Sequence, residues 1–157
     1  MALEKIGPYE FKGVLGHGGM GSVFRAVHRD TGEIHAVKVL ASNFANDEHF
    51  RGRFEAEIES LLKLNHRNIV PILSFGQEDG MLFFAMELVE GNSLFQMQKS
   101  GYRFDWRAVL QIAKDVGAGL KHAHDRGIIH RDLKPGNLLM TYNENSQPDF
   151  VKITDFG

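Results

Sequence analysis

The hydrophobic pattern changes period at Glu90-Gly91-Asn92, and that break limits the fold more than any other feature of the chain. Residues 9–40 alternate short apolar and polar positions, are punctuated by glycine and carry Asp30-Thr31-Gly32 as a tight turn, which predicts three antiparallel strands. After them Phe50, Phe54, Ile58, Leu61 and Leu62 recur at helical spacing up to about Leu64, with Asn46 as N-cap and Asp47 and Glu48 in the first turn. Residues 69–75 and 81–88 read as two more strands, joined by the hairpin composition Glu78-Asp79-Gly80. Beyond the break the pattern is helical: a short segment at 93–99, then a long one at 105–126. In the long segment Val109, Ile112, Ala113, Val116 and Leu120 form an apolar stripe, Asp105 caps the start and Gly127 stands at the stop. Gly117 and Gly119 weaken that helix unless another backbone packs closely there. A polar loop at 130–137, an apolar run at 138–140, a surface loop at 141–149 and a strand at 150–154 complete the chain. The expectation is an α+β fold in two parts: residues 1–88, a five-stranded antiparallel sheet with one helix, and residues 89–157, the start of a mainly helical lobe.

Composition removes several classes of function. At 157 residues and 43% hydrophobic content the chain can bury a core, so it is no disordered tail. Its formal charge of −2, with no block of like charges, gives no reason to expect nucleic acid or an anionic membrane surface. Without cysteine there is no disulfide framework, thiolate metal site or cysteine nucleophile. No secretory signal and no run approaching a membrane span are present, so a cytoplasmic location is the expectation. The eight histidines lack ligand spacing, His122 and His124 diverging on a helix, so no zinc is expected.

Four stretches carry chemistry. Gly16-His17-Gly18-Gly19-Met20-Gly21-Ser22-Val23 fits G-x-G-x-x-G-x-V, where glycines let backbone amides approach phosphate oxygens. A dinucleotide fold shares the spacing, but its loop runs into a helix, whereas residues 23–27 here continue as a strand, as in a flap over phosphates. Lys38, in Ala36-Val37-Lys38, sits beside apolar neighbours, so its ammonium gains from anionic partners such as phosphate or a helix carboxylate, with Glu55, Glu57 and Glu59 all candidates. A lysine on a strand is otherwise usually a solvated edge residue. His130-Arg131-Asp132-Leu133-Lys134-Pro135-Gly136-Asn137 and Asp155-Phe156-Gly157 could each be an ordinary turn. Together they supply what phosphoryl transfer needs: oxygen ligands for magnesium, a carboxylate to orient the attacking hydroxyl, and positive charge for the transferring phosphate.

With these motifs in order from about Tyr9 to Gly157, the chain resembles protein kinases of the serine/threonine type. Its Gly-Gly-Met-Gly loop and Lys-Pro-Gly-Asn ending are most similar to the eukaryotic-like kinases of bacteria. The resemblance implies a kinase fold and an ATP-dependent enzyme that phosphorylates Ser or Thr hydroxyls of proteins, with Mg2+ or Mn2+ as its metal. By the same resemblance the glycine-rich loop, Gly16, Gly18, Gly19, Met20 and Gly21, covers the ATP phosphates; Lys38 binds the α and β phosphates; and Glu57, from its place ahead of Asn65-His66, pairs with Lys38. Asp132 is implied as the catalytic aspartate, Asn137 and Asp155 as the metal ligands, and Lys134 as the cation on the γ phosphate. Leu15, Val23, Ala36 and Leu139 are implied to line the adenine slot, with Met86 as gatekeeper, Glu87 and Val89 holding the base through their backbone, and Ser93 at the nucleotide's edge. The same apolar residues would serve as ordinary core. His130 is implied to be structural, and Arg131 to hold a phosphorylated activation loop.

The sequence also departs from that family. Nothing corresponding to the activation loop or the peptide-binding surface precedes the end at Gly157, which leaves Arg131 nothing to hold and the stripe from Val109 to Leu120 uncovered. A fragment, or a chain completed by dimerisation or by the rest of the helical lobe, is therefore expected. Two alternatives belong to other classes: a catalytically incompetent, pseudokinase-like nucleotide-binding or scaffold module, and a small-molecule kinase, ranked behind it because Lys134 and Pro135 follow the protein-kinase version of the loop.

Overall fold

Strict alternation along one short strand sorts the first part of the protein into two faces. The computed structural model describes residues 4–18, 21–40 and 48–156. These fall into two compact units, Met1–Leu62 with Ile72–Leu88, and Lys63–Pro71 with Val89–Gly157. In the first unit β1 (Lys5–Ile6), β2 (Tyr9–Gly18), β3 (Gly21–His28), β4 (Ile34–Leu40), β5 (Ile72–Glu78) and β6 (Met81–Glu87) form one sheet in the order β1-β2-β3-β4-β6-β5. Every neighbouring pair is antiparallel. Val37 and Val39 of β4 join Ile6, Tyr9, Ala26, Phe83 and Ala85 in one core cluster. Side chains one residue out of phase lie on the opposite face, where Leu40 and Leu82 pack under Phe50 and Phe54 of helix α1 (Glu48–Leu61).

The sheet has six strands rather than the expected five. The added β1 is two residues long, too short to show a period of two, yet Ile6 is fully buried. It is turned back onto β2 at Gly7, whose N–H donates to the Glu78 carboxylate at 2.5 Å. Two other boundaries move. Helix α1 stops at Leu61, and the expected cap at Asn46 and Asp47 lies outside the described residues. Strand β5 starts at Ile72 and not at Ile69, because Pro71 has no N–H for a ladder and Ile69 and Val70 pair instead with the end of β8 in the second unit.

The second unit is built from α2 (Leu94–Lys99), α3 (Trp106–His124), a 3-10 turn at Pro135–Asn137, and the antiparallel pair β7 (Leu138–Tyr142) and β8 (Pro148–Ile153). Ser93 and Gln96 close a reciprocal capping box on α2, and Asp105 accepts from the Ala108 N–H at the start of α3. The expected loop at 141–149 narrows to residues 143–147: β7 runs to Tyr142, β8 begins at Pro148, and the Asn143 side chain closes the turn by accepting from the Asn145 and Gln147 N–H groups.

The apolar stripe on α3 divides. Ile112, Val116 and Leu120 pack on the core of Leu94, Met97, Leu138, Met140, Val151 and Ile153, whereas Val109 and Ala113 face solvent with Leu110 and Trp106. Gly119 allows that packing, since a Cβ there would lie 3.0 Å from the Asn68 carbonyl and 2.9 Å from Ile153 Cδ1. The outer edge of β8 is closed by side chains: the Val151 N–H donates to Asp115 Oδ2 at 3.0 Å, and its carbonyl accepts from Asn68 Nδ2 at 2.8 Å. Asp115 and Asn68 are both buried, and Gln111 Nε2 donates to the other Asp115 oxygen. No helix of the described residues is long and apolar enough to cross a membrane.

Two stability measurements follow. Asp115→Ala strips a charged acceptor from the buried Val151 N–H and should lower unfolding stability by about 2 kcal/mol in chemical denaturation; an unchanged midpoint would show that the edge of β8 needs no such closure. His122, on α3, packs its ring 5.0 Å from that of His66, and its Nε2 is buried with no hydrogen-bond partner among the described residues. Burial, then Arg126 and His66, hold its pKa below the ordinary 6.5. The unfolded chain therefore takes up the proton first, and Tm should fall as pH drops below about 6.5. His122→Phe should flatten that fall; a parallel pH profile in the variant would assign the loss to another group.

Candidate active site

The first unit holds its candidates on β2, β3, β4 and β6. Gly16 pairs with Val23, His17 with Ser22 and Gly18 with Gly21 across the flap, and Gly19 and Met20 lie outside the described residues. Gly21 admits no side chain: its φ is +150°, and a Cβ would sit 2.0 Å from the Val39 carbonyl oxygen. Sequence reasoning passed over one bond in the flap, His17 Nδ1 to Ser22 Oγ at 2.8 Å, which braces it across its strands. Period two along β4 puts Ala36 and Lys38 on one face, opposite Met86 and Phe84 of β6, with the Lys38 ammonium 5.9 Å from the Phe84 ring centre. Val23 is the β3 partner of Lys38, Leu15 is half exposed on β2, and Glu87 ends β6. Glu57 stands exposed on α1, and no ion pair joins it to Lys38 among the described residues.

The second unit gathers the rest more tightly. Lys134 Nζ donates to Asp132 Oδ2 at 2.8 Å, and Asn137 Nδ2 donates to the Asp132 carbonyl at 2.9 Å and to Oδ2 at 3.3 Å. Because the buried Asn137 turns its amide nitrogen to Asp132, Oδ1 is the atom that it can offer a cation. His130 accepts the Asp132 N–H at Nδ1, so its proton sits on Nε2 and goes to the Thr154 carbonyl at 2.8 Å. Its ring also lies 4.6 Å from that of Phe156, and the Thr154 N–H donates to the Asn137 carbonyl at 3.0 Å. These bonds anchor the residues on both sides of Asp155. Arg131 and Asp155 both adopt left-handed backbone, φ +66° and +57°, a strained state held by that network. Ser93 bridges to Leu139 and the Met140 N–H donates to the Asn92 carbonyl, which sets Ser93 against the edge of the small sheet that holds Leu139, while Val89 accepts from the Gly91 N–H.

The hydrogen bond from Lys134 holds the Asp132 carboxyl below the usual carboxylate range, with the Lys134 charge and the Asn137 amide adding to it. An ionised oxygen, a neighbouring ammonium and an amide carbonyl in one turn suit the handling of a phosphorylated substrate and a hard cation. Among the described residues no three His, Cys, Asp or Glu side chains form a metal cluster.

Comparison with known proteins yields the family. The Protein kinase domain family matches residues 9–157. This chain belongs to it. The serine/threonine-protein kinase pkn3 of Myxococcus xanthus is 41% identical over 150 residues, which cover 95% of the chain and 27% of pkn3. The PknI kinase domain of Mycobacterium tuberculosis superposes with a TM-score of 0.82 at 31% identity, over 99% of this kinase chain and 63% of that one. Rad53 residues 1–466, solved in complex with AMP-PNP, matches with a TM-score of 0.82 at 31% identity, over 96% of the chain and 38% of Rad53. The chain spans a fifth to about a third of the length of the first curated relatives that it matches.

The state of Asp132 can be followed directly. A lowered carboxyl is ionised above the ordinary value of about 3.9 and is neutralised only as pH falls through its lowered one. Lys134→Met should move the Asp132 carboxyl titration upward in carbon NMR, while leaving it ionised at pH 6 and above. An unmoved titration would mean that Lys134 does not set it.

Proposed function

We propose that this chain carries the nucleotide-binding and catalytic-loop part of an ATP-dependent protein serine/threonine kinase. Membership of the family and the names of its relatives support the reaction class. The observation that carries the assignment of roles is the second unit's network: Asp132, Lys134 and Asn137 in one hydrogen-bonded turn, joined through His130 to the residue before Asp155.

In this reading residues 1–88 hold the nucleotide and residues 89–157 the chemistry. The main chain of the glycine-rich flap donates to phosphate oxygens, and at Gly16 no atom stands within 4 Å of where a Cβ would lie. Lys38 neutralises the α and β phosphates. Ala36, Val23, Leu15, Leu139 and the gatekeeper Met86 give the adenine apolar contact, Glu87 and Val89 offer backbone groups to its edge, and Ser93 lies beside the ribose. The binding of AMP-PNP by the related Rad53 supports an adenine nucleotide as the ligand.

Asp132 is the group that orients the acceptor hydroxyl and takes its proton, and its lowered pKa keeps it able to accept. Lys134, 2.8 Å from it, supplies positive charge to the γ phosphate as negative charge shifts. Asn137 Oδ1 and the Asp155 carboxylate are hard oxygen donors that fit Mg2+, which when bound would neutralise phosphate charge. Glu57 can serve Lys38 only in another setting of α1 or of its own side chain, since no ion pair joins the two in this structure. Protein substrates and a cytoplasmic setting, where ATP is present, belong to the same proposal.

The test has two arms. A thermal melt with ATP and Mg2+ at about a hundred times the dissociation constant should add roughly 2.7 kcal/mol of stability if the nucleotide site is complete. Asp132→Asn should keep that shift yet lower phosphate transfer to protein at least about a hundredfold, whereas Lys38→Met should weaken both. Full transfer by Asp132→Asn, or a nucleotide shift unchanged by Lys38→Met, would overturn these roles.

A further inference from the structure

Residues 93–114 carry four cations, Lys99, Arg103, Arg107 and Lys114, against the single carboxylate Asp105, within a chain whose formal charge is −2. That one acid is already engaged, capping α3 through the Ala108 N–H. All four cations are exposed. Beside them the segment exposes Phe95, Tyr102 and Trp106, the last 70% accessible. The cations and rings are paired: Lys99 Nζ lies 5.0 Å from the Phe95 ring centre, and the Arg107 guanidinium 5.1 Å from that of Trp106.

We propose that this face, the end of α2, residues 100–105 and the start of α3, docks peripherally on an anionic phospholipid surface. Charge complementarity selects an anionic partner, since the patch opposes the sign of the whole chain. The rings select a lipid one. An aromatic body with a cation at its edge partitions to headgroup depth, where the ring rests against the acyl boundary and the cation reaches phosphate. Arg103 and Arg107 lie on either side of Trp106 in the chain, and all three are exposed. Docking of this kind rests on these contacts alone and does not depend on kinase activity.

Trp106 is the chain's only tryptophan, so its emission reports this patch alone. The full chain is titrated with vesicles of phosphatidylcholine, with or without about one-third phosphatidylglycerol. Anionic vesicles should shift the emission to the blue, shield it from iodide and carry the protein down on sedimentation; neutral vesicles should not. Raising salt from about 0.05 to about 0.5 M should release it. Lys99→Glu with Arg103→Glu and Arg107→Glu should weaken binding at least tenfold with an unchanged melting curve, and Arg107→Glu alone is the measure if the triple variant does not fold. Unchanged emission with anionic vesicles, undiminished binding by a folded variant, or equal affinity for a single-stranded oligonucleotide would each overturn the proposal.

Discussion

The Val151 peptide group is the point on which the second unit hangs. Its N–H and carbonyl face away from β7, and without partners they would be a buried donor and acceptor on an open strand edge. Asp115 reaches it from α3 and Asn68 from the loop at 63–71, so one residue's main chain fixes a helix, a loop and a strand together. The Ile153 N–H continues the closure onto the Asn68 carbonyl, and two residues later the chain arrives at Asp155. The position of Asp155 thus begins to be set four residues upstream, by a buried side chain from α3.

The division between what the sequence told and what it withheld follows from range. Alternation in Ile34–Leu40 and the Asp105 cap act within a few positions, and that strand and the start of α3 stand where these local signals put them. Lys38, Asp132, Asn137 and Asp155 stand out in the sequence because motif spacing is a property of the chain. Asn68 and Asp115 do not, because each bonds a residue 83 or 36 positions away, and no local pattern marks it. A buried aspartate between the apolar positions Ile112 and Val116 was the one available sign.

Charge shows the same limit in another form. A formal charge of −2 averages over a chain whose residues 93–114 are strongly basic, so a whole-chain sum argues against an anionic surface that one face is suited to meet. Segregation becomes visible only when exposure is known residue by residue, as with the pairing of Lys99 on Phe95 and Arg107 on Trp106.

The left-handed backbone at Arg131 and Asp155 sets how this chain can evolve. At both positions glycine would relax the main chain, so selection for a hardier fold alone would erode the two side chains. Aspartate tolerates that region better than arginine, whose long side chain gains nothing from it. Persistence of an arginine at position 131 in any lineage is thus a record of purifying selection on what its guanidinium does, legible without an assay.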